Sequence, residues 1–169
     1  MRNKTFYTHI DSPVGPILLV GDGTNLTGLN FQTEKRPIQI QPDWQEDEAP
    51  FAEVIAQLLA YFAGERHDFD LPLAFKGTEF QQAVWQELQK IPYGETTSYG
   101  ELARRIGRPK AVRAVGAANG ANPLPLVVPC HRVVGSDGRL TGYGAGLPIK
   151  EALLTHERSH GKQGYEQFV

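Results

Sequence analysis

The chain holds a single cysteine, Cys130, in 169 residues. That excludes an internal disulfide and any metal site built from several thiolates. It gives no sign of an oxidising compartment, so a reducing one is expected. Long apolar runs are also missing. None approaches the roughly 20 residues that span a bilayer, and the opening "MRNKTFYTHIDSPVG" has no apolar signal core. The expectation is a cytoplasmic protein, neither exported nor embedded. Repeats and low-complexity segments are lacking as well. Hydrophobic residues make up 40% and charged residues 21%, which suits one ordinary domain or two small ones sharing a core.

Net charge is small, at -2, because the two signs nearly cancel, but they are unevenly spread. Residues 1–75 carry five Lys/Arg against eleven Asp/Glu, whereas residues 95–150 carry eight against three. The whole-chain balance speaks against a nucleic-acid partner, and the local excess of cations favours one. Two solvated faces would account for the same numbers.

The first part reads as a small antiparallel sheet with a helix. Ile17 to Val20 and Leu26 to Phe31 are short apolar runs separated by "GDGTN", which carries hairpin chemistry. A third strand is expected at Thr5 to Ile10. "TEKRPIQIQPDWQEDEAP" is polar and proline-punctuated, hence a loop. Phe51, Val54, Ile55, Leu58, Leu59 and Phe62 have helical spacing, with Gly64 as the stop. No chemistry is visible in this half. The boundary is expected near Leu73 to Gly77, giving domains 1–75 and 76–169.

Beyond it, Thr78 is placed to cap a helix with Phe80, Val84, Trp85 and Leu88 on its apolar face. Ser98, with Glu101 three residues on, predicts a capping box. Two short helices then flank a turn at Gly107 to Lys110, the pattern of a helix-turn-helix. The second, Ala111 to Ala121, is almost all alanine and glycine, with Arg113 as its only long charged side chain. Such pairs often serve core packing alone. A smooth helix with one arginine fits better as an element that enters a groove.

The thiol lies in "VVPCHRVVG". Neighbours on a regular strand face opposite ways, so Cys130 and His131 cooperate only if the strand breaks, as Pro129 allows, or if water joins them. A free thiol is only a few per cent thiolate at neutral pH, and an imidazole that takes its proton supplies the nucleophile. The imidazole needs an acceptor to orient it; Asp137, Glu151 and Glu157 are the downstream candidates. By spacing alone, a buried cysteine beside an unrelated histidine is the commoner arrangement.

Several segments together resemble the O6-alkylguanine-DNA alkyltransferases, the methylated-DNA–protein-cysteine methyltransferase family. They are "FQQAVWQELQKIPYGETTSYGELA", "RAVGAANGANPLPLVVPCHRVVG", "GRLTGYGAG" and "KEALLTHE". The first part of the chain matches loosely, through "SPVGPILL". The resemblance implies an α+β protein: a ribonuclease H-like N-terminal sheet with a helix, then a mostly helical DNA-binding half. It implies irreversible transfer of the alkyl group from O6-alkylguanine, with O4-alkylthymine a further candidate, in double-stranded DNA to Cys130 after base flipping. Cys130, His131, Glu157 and Asn122 would form the catalytic group. Tyr99, Val133, Tyr143, Gly144 and Ala145 would hold the base. Arg113, Ala111, Ala114, Gly116, Arg108 and Ser136 would contact DNA. No cofactor and no metal are implied, and the chain is expected to act as a monomer. It departs from many members in Ala145, where they have glycine, and in Ala152, where some have tryptophan. The rival readings are a non-catalytic binder of alkylated DNA, which would lack the cysteine, and a cysteine hydrolase or redox sensor, for which no oxyanion hole is visible.

Overall fold

The structure is a computed structural model and describes residues 4–140 and 142–161. Thr141, within "GRLTGYGAG", and the outer ends of both expected domains lie outside the described residues.

Strands β1 (Phe6–Ile10), β2 (Ile17–Gly21) and β3 (Leu26–Phe31) form an antiparallel meander. At the β2–β3 turn the Asp22 carboxylate accepts from the backbone N–H groups of Thr24 and Asn25, and the ladder bulges at Val20/Gly21. A fourth strand, β4 (Gln45–Glu46), pairs parallel to β1 inside the segment read as a loop. Its two residues are exposed, so no alternation marked it.

Helix α1 (Ala52–Phe62) covers the sheet. Its buried face is Val54, Gln57, Leu58 and Tyr61. Leu59, expected inside, is 55% exposed. Tyr61 takes the inward place, and its hydroxyl finds a buried partner described below. Gly64 ends the helix at φ +79°, and a Cβ there would collide with the His160 ring.

The segment after α1 is sewn to the sheet: Leu26 N–H donates to Pro72 O, and Ala74 N–H to Leu26 O. Helix α2 (Glu79–Leu88) begins with the expected Thr78 cap, reciprocated by Gln81. Strand β5 (Thr97–Ser98) leads into α3 (Tyr99–Arg105), where Ser98 accepts from the Glu101 N–H. The capping box is only half made, because the Glu101 carboxylate turns instead to Arg104 and Arg105. After Gly107, α4 (Val112–Gly120) packs on α2 and α3 and buries Val115, Ala118 and Asn119. Strand β6 (Val133–Val134) pairs parallel to β5, and α5 (Leu147–His160) closes the chain. One apolar core runs through both halves, from Ile17 and Leu58 to Trp85, Leu102 and Leu153. No helix of the described residues is long and apolar enough to cross a membrane.

Candidate active site

Cys130 opens a short 3-10 turn, Cys130–Arg132, that follows Pro129. The break expected at the proline is there. The Val127–Val128 flank, read as strand, is not one; only Val133–Val134 is. The approach is instead a loop clamped by Asn122, whose amide donates to Val128 O at 2.8 Å while its carbonyl accepts from the Leu124 N–H at 2.9 Å. Inside this clamp buried Leu126 is held at φ +78°. A side chain is costly there, on the order of 1–3 kcal/mol, and persists because the loop ends are fixed.

The thiol is 3% exposed and faces a cavity of about 20 Å³. Asn119, Asn122, Pro125, Tyr143, Ala145 and Glu34 line it. The cavity holds about one water. It adjoins a groove of about 1160 Å³ lined by Tyr99, Val112, Gly116, Lys35, Ile38 and Trp44 among others. Burial pushes the Cys130 thiol up to about 11, partly offset by Asn122, Tyr143 and Lys150. At neutral pH it rests as the thiol.

His131 is fully buried. Burial pushes its pKa down, against the pull of Glu157, so the ring is neutral. Nε2 lies 2.7 Å from Glu157 Oε2, while Nδ1 has no hydrogen-bond partner among the described residues. That tautomer puts the proton on Nε2 and leaves Nδ1 able to accept one. Glu157 is also fully buried, and burial alone would favour its neutral form. The bonds from His131 and Arg132 outweigh it and hold the carboxyl well below its usual range. Arg132 donates to both carboxylate oxygens, at 2.8 and 3.0 Å, and to Ile91 O. Tyr61 OH adds a donor at 2.7 Å and Gly94 N–H one at 3.2 Å.

Residues 5–75 match the family model described as "6-O-methylguanine DNA methyltransferase, ribonuclease-like domain", and residues 79–159 match its "DNA binding domain". The chain is 54% identical over 154 residues to the methylated-DNA–protein-cysteine methyltransferase of Methanosarcina acetivorans, covering 91% of this chain and 99% of that one. It is 52% identical to the enzyme of the same name from Mycobacterium bovis, over 90% and 92% of the two chains. The chain belongs to the methylated-DNA–protein-cysteine methyltransferases. A crystal structure of Mycobacterium tuberculosis OGT in complex with DNA superposes with a TM-score of 0.87 at 51% identity, over 92% of this chain and 94% of that one. The methyltransferase from Pyrococcus kodakaraensis superposes at 0.62 with 25% identity, over 90% and 98%. Membership carries the activity, alkyl transfer from DNA to protein cysteine, and the α+β architecture.

Of the three carboxylates weighed, only Glu157 reaches His131; Asp137 is exposed and pairs with Arg139, and Glu151 is exposed. Tyr99 stands on the groove at the start of α3. Tyr143, Gly144 and Ala145 wall the cavity, and Val133 is buried in β6. Arg113, Ala114, Arg108 and Ser136 are exposed, while Ala111 and Gly116 are half-buried. Arg113 is the only charged side chain on α4. The Cys130 carbonyl accepts from the Val133 N–H and from the Asn119 amide at 3.3 Å. Among the described residues, no group of His, Cys, Asp and Glu could hold a metal ion.

Five residues escaped the sequence reading: Glu34, Tyr61, Asn119, Arg132 and Lys150. Arg132 was legible in "CHR", since a cation two residues from a nucleophile in an apolar run must find a buried anion. Lys150 is buried, with Nζ 5.9 Å from the Tyr99 and Tyr143 ring centroids. Tyr61 and Glu34 come from the half that showed no chemistry.

Proposed function

We propose that Cys130 takes the alkyl group from O6-alkylguanine in duplex DNA, once per molecule. The observation that carries this is the single cysteine, walled into a pocket that opens on the helix-turn-helix groove, with a buried His131–Glu157–Arg132 chain beside it.

Helix α4 lies in the DNA groove, with Ala111, Ala114 and Gly116 allowing close approach and Arg108 and Ser136 holding phosphates. Arg113 fills the stack as the base leaves it. In-line attack on the alkyl carbon carried by O6 is impossible inside the stack, and extrusion costs a few kcal/mol. The rotated base enters from the groove past Tyr99 and the Tyr143–Ala145 wall. The proton of Cys130 passes through water to His131 Nδ1, and the imidazolium that forms is stabilised by Glu157, already ionised through Arg132. Asn122 fixes the turn and supports the thiolate. Sulfur then attacks the alkyl carbon in line. The S–C bond forms as the C–O6 bond breaks, and the electron pair stays on the purine. A Tyr99 hydrogen bond to N3 and the Gly144 N–H at O6 stabilise that charge. The Val133 carbonyl receives the guanine amino group. The Cys130 carbonyl joins it only when Asn119 lets go.

The product is a thioether, which is no leaving group, and the chain has no second thiol to regenerate it. A cytoplasmic, monomeric protein fits this reading: the substrate is DNA, the thiol must stay reduced, and one chain supplies every side chain named. A division into 1–75 and 76–169 fits the meeting of the two family matches between 75 and 79.

Cys130→Ala tests the reading. The variant should keep binding to O6-methylguanine duplex and take up no label from it. Label on the variant would overturn the assignment, and loss of binding would make Cys130 a packing residue.

A further inference from the structure

Glu34 is an unlikely residue to meet at a buried thiol. It follows β3 in the N-terminal half, yet it shares the wall of the Cys130 cavity with Asn122, Tyr143 and Gly144. It also lines the large groove, so it stands where cavity and groove meet. The fold holds it there from both sides. Thr33 donates its hydroxyl to Ala145 O, and Lys35 N–H donates to Gly144 O at 2.9 Å. The carboxylate lies against the loop so closely that a Cβ on Gly144 would sit 2.8 Å from Oε2. Among the described residues no cation forms an ion pair with it. The charge is felt at the sulfur, where Glu34 opposes the thiolate, and burial raises its own pKa.

We propose that Glu34 is a charge filter on the acceptor pocket, setting a preference for neutral O6 substituents over anionic ones. This rests on the transfer reading above. An O6-carboxymethyl group would react as a methyl group does: the S–CH2 bond forms as the CH2–O6 bond breaks, and the electron pair stays on the purine. It also brings a second carboxylate into a small cavity that already holds one. The carbamoylmethyl group has the same shape and no charge.

The test compares single-turnover rates on oligonucleotides bearing O6-carboxymethylguanine or O6-carbamoylmethylguanine, at about pH 8 so that carboxylates are ionised. Wild type, Glu34→Gln and Glu34→Ala are measured, with O6-methylguanine as the reference. Wild type should favour the carbamoylmethyl adduct by at least about tenfold, because like charges a few ångströms apart in a partly screened site repel more strongly than they do in bulk water. Both variants should bring the ratio close to one. A ratio unchanged in both variants overturns the filter, including the case where all rates fall together, which would make Glu34 a support for the loop. If wild type fails to transfer methyl at all, the transfer reading itself falls, and the filter with it.

Discussion

The hydroxyl of Tyr61, on α1 in the N-terminal half, donates to Glu157 Oε2 at 2.7 Å, the same oxygen that faces His131. The first half of the chain therefore does more than bury the back of the second. Burial and Glu157 both push the Tyr61 pKa upward, so it remains a donor. Tyr61→Phe should cost about 1.5–3 kcal/mol, the loss of one hydrogen bond to a buried charge. Urea unfolding measures it. Transfer should slow as well, and an unaffected rate would separate Tyr61 from the His131 relay.

Arg132 balances the same carboxylate. Arg132→Met leaves Glu157 a buried charge with one fewer partner and should destabilise by about 3–5 kcal/mol. The pH dependence has a definite sign. Glu157 has a depressed pKa in the folded protein, so its stabilising contribution is present above the unfolded value of about 4.3 and is lost as pH falls below it. Removing Arg132 raises the folded pKa and should move acid unfolding to higher pH. An unmoved acid transition would contradict this account of Glu157.

The thiol should be sluggish in DNA-free protein. Its pKa, pushed up to about 11, predicts slow alkylation by iodoacetamide at neutral pH and a rate that climbs with pH toward that value. A plateau near pH 8.5, the ordinary thiol range, would mean the resting site does not suppress the thiolate.

Much of this site was legible in the sequence because its parts are local. Helix caps at Thr78 and Ser98, the small-residue helix around Arg113, and the proline before Cys130 each act through neighbours a few positions away. What was not legible is long-range. Tyr61 and Leu59 are both apolar enough to face inward, and only the position of Glu157, 96 residues on, decides for Tyr61. Glu34 sits in a polar loop whose composition says surface; two hydrogen bonds to the 144–145 loop carry it to the cavity. Strand β4 consists of two exposed residues and carries no periodic signal at all.

Tyr99→Phe should slow transfer more than it weakens binding, because the ring still packs while the hydrogen bond proposed for it to the leaving purine is lost. The expected loss is on the order of 10²-fold in rate. Single-turnover rates at saturating protein decide, and an unchanged rate removes Tyr99 from the chemical step.

Arg113→Ala separates base extrusion from chemistry. Transfer from a paired duplex should fall far more than transfer from single strands, while reaction with a free O6-alkylguanine base should be nearly intact. A phosphate contact alone would instead weaken binding to every duplex alike and lower the salt slope by about one. Equal losses on the free base would place Arg113 in the support of the fold.

The central claim is that Cys130 is the sole acceptor and is used once. The most direct measurement is intact mass, followed by peptide mapping, after incubation with excess O6-methylguanine duplex. The account predicts one methyl increment per chain, located on Cys130, with uptake stopping there however much DNA remains. No increment, an increment on another residue, or continued turnover after the first methyl would contradict it.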